Sequence, residues 1–360
     1  MRVSAVRAAG FRCYDRLDTP LAAGVVGVVG PNGAGKTTLV EAVHFACLGY
    51  SPRTSTDAQL VRFGSDVLRA EADAESFGTA TTVEVGFQPG EPKRVRVGGA
   101  PVRSIERLLE RFPVLVFTPD RLRLIQGSPA LRRSYIDRSV ARIWPVLAPA
   151  AAEYGRALAQ RNHLLRRLRV GAGSADSLDA WDRRVAAAGA ELGAARARLL
   201  SRLAGPFERR LGELGGDPAR EALRYLPDTA GGEGDLLRAL AERRGRDIER
   251  AATGAGPHLD DLMIVDGDRD LRRYGSQGEQ RRALLALILA EADLLVEERG
   301  EQPLLLLDDV TGEFDRERRQ LLLEAVSRFD QAILTTTDRV DLGGSESQLL
   351  EVADGQVRAA

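Results

Sequence analysis

Gly30-Pro31-Asn32-Gly33-Ala34-Gly35-Lys36-Thr37 matches G-x-x-x-x-G-K-[ST] without a departure. It follows Val25 to Val29, an apolar run that predicts a buried strand, and opens Thr38 to Leu48, whose pattern predicts a helix. Strand, glycine-rich turn and helix in that order indicate an α/β fold with a phosphate-binding loop. Gly30, Gly33 and Gly35 let the backbone curl so that successive N–H groups converge as an anion nest at the helix N-terminus. Lys36 then reaches the terminal phosphates of a nucleotide, and the Thr37 hydroxyl ligates Mg²⁺. A plain glycine turn before a helix is the competing reading, and both flanks weigh against it. The chain has 51 basic residues but only two lysines, Lys36 and Lys93. A compact ammonium therefore stands where phosphate needs a point charge.

The second half of such a site comes from Pro303-Leu-Leu-Leu-Leu-Asp308-Asp309. This run predicts a buried parallel strand that delivers two carboxylates at its C-terminal edge, where open α/β sheets bind ligands. Asp308 is placed to hold Mg²⁺ through its water shell, and Asp309 to orient or deprotonate an attacking water. The bland alternative is a pair of acids capping the next helix. Ser276 stands 32 residues before Asp308, inside Tyr274-Gly-Ser-Gln-Gly-Glu-Gln-Arg281. Ser276, Gln277, Gly278 and Glu279 form a capping-box pattern that opens a helix expected over 280–295. A serine hydroxyl and free N–H groups at a helix N-terminus make an anion site. The phosphate loop already fills that role within its own subunit, so a second site points to a partner's nucleotide.

At 360 residues and 44% apolar content, one large or two modest domains can be built. A net charge of −1 announces no global affinity for nucleic acid. No apolar run approaches the ~18 residues of a membrane span and no signal-peptide core is seen, so a cytoplasmic location is expected. Cys13 and Cys47 are widely spaced and indicate neither a disulfide framework nor a zinc site.

The first 118 residues are strand-rich α/β in pattern, with strands expected at 3–8, 25–29, 68–74, 81–87 and 95–98. Between Asp120 and Arg169 the character changes to helical, with eleven arginines against three acids. Leu147, Ala151, Tyr154, Leu158, Leu165 and Leu168 recur at helical spacing, with Arg161 as the one polar intruder. Leu178, Trp181, Val185, Ala188, Leu192, Ala195 and Leu199 form a second such seam beyond the turn signal at 171–174. This is the pattern of an antiparallel helical hairpin. An arm domain is expected over 121–255, inserted between head segments 1–120 and 256–360.

GPNGAGKT, YGSQGEQR, LLLLDD and Glu313-Phe314-Asp315 resemble the Walker A, signature, Walker B and D-loop motifs of ABC-type ATPases, in their order. Within that class the chain resembles the RecF family of bacterial recombination mediators. The match rests on GFRCYD at 10–15, LGYSPRT at 48–54, FTPDRLRLIQGSPALRRSYID at 117–137, GPHLDDL at 256–262 and GSQGEQRR at 275–282. The resemblance implies an ATP- and Mg²⁺-dependent DNA-binding protein whose two heads close on two ATP molecules. Ser276 would contact the γ-phosphate held by the other subunit, hydrolysis would release the homodimer, and DNA would lie across heads and arms. RecR and RecO are the implied partners in loading RecA.

The resemblance also places Arg12 beside the adenine or α-phosphate and Arg53 near the nucleotide, although a plain surface arginine fits either position. Gln126 is taken as the Q-loop residue, touching metal and water; Asp120 lies closer to the preceding strand's end. Two departures stand out. Thr335-Thr336-Thr337-Asp338 ends the strand where many ABC ATPases carry a switch histidine, and Asp309 replaces the usual glutamate. Both predict slow hydrolysis, since water positioning dominates phosphoryl transfer. Arg121, Arg123, Arg132, Arg133, Arg138 and Arg142 form the candidate DNA stripe. A solvated helix face salt-bridged to the acidic segment 291–301 is the alternative. Aromatics at 5% disfavour a single-strand stacking platform, leaving sequence-tolerant duplex or junction binding. An ABC transporter subunit is a poorer fit, because 272 residues separate Lys36 from Asp308. A structural SMC-like linker fits poorly too, because the hairpin is short, and a P-loop kinase has no use for a signature octet.

Overall fold

The computed structural model describes every residue except 173, 311–313 and 345. The chain forms two compact units: Met1–Leu122, Arg209–Asp217 and Gln277–Ala360 make the first, Arg123–Glu208 and Pro218–Ser276 the second. After a first return over Arg209–Asp217, the chain re-enters the first unit for good at Gln277, where 256 was expected. The physical reason is strand pairing, because 261–266 hydrogen-bonds along its whole length to 221–226 within the second unit.

In the first unit an antiparallel sheet holds β1 (Arg2–Phe11), β2 (Tyr14–Pro20), β4 (Leu68–Ser76), β5 (Thr79–Phe87), β6 (Arg94–Val97) and β7 (Ala100–Pro101), in the order β2-β1-β4-β5-β6-β7. Alternate residues of β4 are buried, as period-2 side chains on a one-sided sheet require. The other sheet runs β15-β14-β3-β13-β12-β8, from β3 (Gly24–Val29), β8 (Val114–Phe117), β12 (Leu304–Leu307), β13 (Gln331–Thr336), β14 (Gln348–Ala353) and β15 (Gln356–Ala359). All its pairs are parallel except β14–β15. Every residue of β8, β12 and β13 is buried, which is why β8 and β12 read as unbroken apolar runs; β13 buries Gln331, Thr335 and Thr336 as well. Helix α1 (Lys36–Leu48) packs on both sheets and buries all but one of its residues. Helix α2 (Ile105–Arg111) is capped by Ser104, which accepts from the Arg107 N–H.

In the second unit, α3 (Arg123–Gln126) and α4 (Pro129–Ile143) precede α5 (Pro149–Arg169), α6 (Leu178–Glu213) and α7 (Glu233–Arg250). The last turn of α6 belongs to the first unit, where Arg210 forks onto Asp293. The expected hairpin corresponds to α5 and α6, but its core is completed by α7. Tyr154, Ala157, Val185, Leu192, Leu236 and Leu240 close one cluster from all three helices. A small sheet also went unforeseen, with β10 (Asp261–Asp266) between β9 (Glu221–Leu226) and β11 (Arg269–Asp270). The short α8 (Leu271–Tyr274) closes this unit. Helix α9 (Gln277–Arg299) returns to the first, where α10 (Arg316–Val326) follows the strand β12. Among the described residues, no helix is long and apolar enough to cross a membrane.

Candidate nucleotide site

The phosphate loop joins β3 to α1, so its N–H groups open directly onto the helix N-terminus. Gly33 and Gly35 hold φ of 81° and 118°, values that favour glycine. A Cβ on Gly35 would stand 3.0 Å from both Cys13 Sγ and Tyr14 Oη, whereas one on Gly33 would meet nothing within 4 Å. Tyr14 Oη donates to the Gly35 carbonyl at 3.0 Å and ties β2 to the loop. Lys36 donates to the carbonyls of Gly30 at 2.7 Å and Pro31 at 2.9 Å. Burial lowers its pKa, opposed by the nearby charges of Asp309 and Asp308. The ammonium thus lies folded back onto the carbonyls of its own loop.

The parallel order β3-β13-β12 brings residues 271 apart in sequence together. Thr37 Oγ1 donates to Asp308 Oδ1 at 2.9 Å, and Thr335 Oγ1 donates to the same oxygen at 2.7 Å. The Asp309 N–H in turn donates to Thr335 Oγ1 at 2.9 Å. Asp308 is buried, and burial raises its pKa against the lowering effect of the two hydroxyls. Asp309 instead exposes its side chain and holds a left-handed φ of 49°. No group of three or more His, Cys, Asp or Glu among the described residues could hold a metal alone. Thr37 and Asp308 fit Mg²⁺ instead, which takes one or two protein oxygens and completes its shell with water and substrate phosphates.

Arg12 and Arg53 meet over a carboxylate that the sequence reading passed over. Arg12 forks onto Glu41 of α1 at 2.6 and 2.8 Å, and Arg53 Nη1 reaches Glu41 Oε2 at 3.3 Å. Ser51 also donates to Glu41, and Arg53 Nε lies 3.6 Å from Asp120. The alternative of plain surface arginines does not hold, since both are held by one fully buried acid. A lone carboxylate inside the apolar run 38–48 was the available signal. The Thr335 hydroxyl carries no such signal, since a threonine in a buried strand reads as packing.

Ser276 is exposed and directly precedes α9, which starts at Gln277, three residues earlier than expected. Gln277 is exposed, Gly278 and Glu279 half-buried, and Tyr274 is 68% exposed. Gln126 ends α3 in the second unit, whereas Lys36, Thr37, Asp308 and Asp309 lie in the first. Glu313 lies outside the described residues; Phe314 is buried, and Asp315 caps α10 by accepting from the Arg318 N–H. The arginine stripe needs correction. Arg132 is buried, forks onto Asp261 at 2.6 and 2.8 Å and donates to the Gly127 carbonyl, while Arg142 is buried as well. Neither can displace counterions from DNA without unpacking. Arg133 donates to the Asp260 carbonyl; Arg121 is half-buried, and Arg123 and Arg138 are exposed. The suggested bridge to 291–301 does not involve Arg132 or Arg133, which bond instead to Asp261, the Gly127 carbonyl and the Asp260 carbonyl.

The sequence profile described as the RecF/RecN/SMC N terminal domain matches residues 2–356. The DNA replication and repair protein RecF of Heliobacterium modesticaldum is 39% identical over 345 residues, covering 94% of this chain and 92% of that protein. Its counterpart in Streptomyces avermitilis is 38% identical over 360 residues, covering 96% and 95%. A solved structure of the recombination mediator protein RecF with ATP, in the RecFOR pathway, superposes with a TM-score of 0.90 at 28% identity, over 99% of this chain and 97% of that one. An Smc head bound to the C-winged helix domain of ScpA shares the fold at a TM-score of 0.59 and 15% identity, over 100% and 97% of the two chains. With both halves of an ABC-type nucleotide site in place and likeness along nearly its whole length, the chain belongs to the RecF/RecN/SMC family and, within it, to the RecF proteins.

Proposed function

We propose that this chain is a cytoplasmic, ATP-gated DNA clamp of replication and recombinational repair. ATP and Mg²⁺ bind at the phosphate loop, Thr37 and Asp308. Two heads then close, each offering Ser276 and the N-terminus of α9 to the γ-phosphate held by the other. Slow hydrolysis, with Asp309 orienting water and Gln126 as the Q-loop residue, opens the dimer and frees the DNA. Its setting is gap processing with RecR and RecO, ending in RecA loading, as the resemblance implies; a solved relative with ATP is described in the RecFOR pathway. The observation that carries the reading is the exposed serine heading α9 in a chain whose phosphate loop, hydroxyl and carboxylate are already assembled.

Light scattering and DNA-binding anisotropy with ATP, ADP and no nucleotide test it, on the wild type and on Ser276→Arg. ATP is expected to double the wild-type mass and raise DNA affinity at least tenfold, with neither change in Ser276→Arg. If ATP leaves wild-type mass and affinity unchanged, the clamp is wrong. If the variant still dimerises on ATP, Ser276 is only a helix cap.

A further inference from the structure

Thr335 is fully buried near the C-terminal end of β13. That strand lies between β3, which feeds the phosphate loop, and β12, which delivers the carboxylates. Thr335 pairs with Val28 in register, and Leu334 with Leu307. The hydroxyl therefore emerges beside the first residue beyond β12, where it donates to Asp308 Oδ1 at 2.7 Å and accepts from the Asp309 N–H at 2.9 Å. One oxygen thus ties the side chain of Asp308 to the backbone of Asp309.

The backbone it holds is unusual. Asp309 sits at φ 49°, a left-handed conformation uncommon for a non-glycine residue although aspartate adopts it more readily than most. The direction of the exposed Asp309 carboxylate follows from that dihedral. The direction of Asp308 Oδ1 is set jointly by Thr335 and Thr37. Valine would fill much of the same space but could make neither hydrogen bond, so packing alone does not ask for threonine.

We propose that Thr335 is a positioning residue of the nucleotide site, setting Asp308 for the metal ion and aiming Asp309 at the water that attacks the nucleotide. The assignment rests on the ATPase reading above. It gives the strand end that lacks a histidine a different task, acting through both carboxylates rather than on the phosphate.

The test uses the full chain carrying Thr335→Val, Thr335→Ala or Thr335→Ser. Steady-state ATP hydrolysis, binding of a fluorescent ATP analogue titrated with Mg²⁺, and thermal melts are read together. Thr335→Val is expected to lower kcat at least tenfold with KM within twofold, and to raise the half-saturating Mg²⁺ concentration severalfold. Thr335→Ser restores both to within threefold of wild type. Should Thr335→Val fail to fold, Thr335→Ala takes its place against Thr335→Ser. A folded Thr335→Val that keeps kcat and Mg²⁺ response within threefold, or a Thr335→Ser that falls as far as Thr335→Val, overturns the assignment. A wild type that binds the analogue but does not hydrolyse ATP overturns the ATPase reading instead, and the Mg²⁺ titration still decides Thr335.

Discussion

Gly30 has no room for a side chain, because a Cβ there would stand 2.1 Å from the Val352 carbonyl oxygen on β14. Backbone cannot move aside as a flexible side chain can. Gly30→Ala is expected to destabilise the protein by about 1–3 kcal/mol and to weaken nucleotide binding as the loop shifts. Urea unfolding and titration with a fluorescent ATP analogue check both, and wild-type values in each would refute the close fit. Lys36 and Thr37 were legible because their chemistry is written into eight consecutive residues. Glu41 and Thr335 were not. Their meaning depends on Arg12, 29 residues away, and on Asp308, 27 residues away, and no local pattern carries such distances.

At the scale of elements, Arg161 interrupts an otherwise apolar seam on α5, and the structure supplies the reason. Its guanidinium is fully buried and bonds to Asp182 of α6 at 2.6 Å, Asp247 of α7 at 2.7 Å and the Thr253 hydroxyl at 2.9 Å. The intruder locks three helices together. Arg161→Leu would complete the apolar seam yet take the ion pair from buried Asp247, which among the described residues keeps only the Gly254 N–H, while Asp182 keeps Arg244 at 2.7 Å; it is expected to cost about 3 kcal/mol. A melt unchanged from wild type would show that the carboxylates find other partners. The seams of α5 and α6 were legible in their spacing. The third helix was not, because α7 offers its apolar face only to a groove that the first two helices create.

On the scale of the whole molecule, the excess of arginine over 120–169 divides between structure and surface. Arg132 and Arg142 are interior, while Arg123 and Arg138 reach solvent. Arg123→Ala and Arg138→Ala together are expected to weaken DNA binding and to flatten its dependence on salt by one or two released counterions, with a smaller loss of stability than Arg132→Ala. Arg132→Ala is expected to destabilise the protein by about 3 kcal/mol. Anisotropy at several salt concentrations beside thermal melts separates the two; DNA binding unchanged in the exposed double variant would move the interface elsewhere. By itself, the sequence determined the class of fold and located the phosphate-loop pattern, the paired acids at 308–309 and the octet at 274–281, because each is a short run of consecutive residues. Only the tertiary structure decided which arginines face water, that Glu41 gathers Arg12 and Arg53, that α7 completes the arm, and that Thr335 stands beside Asp308. Burial and pairing depend on which distant segments the fold brings into contact, and charge or spacing along the chain does not record that.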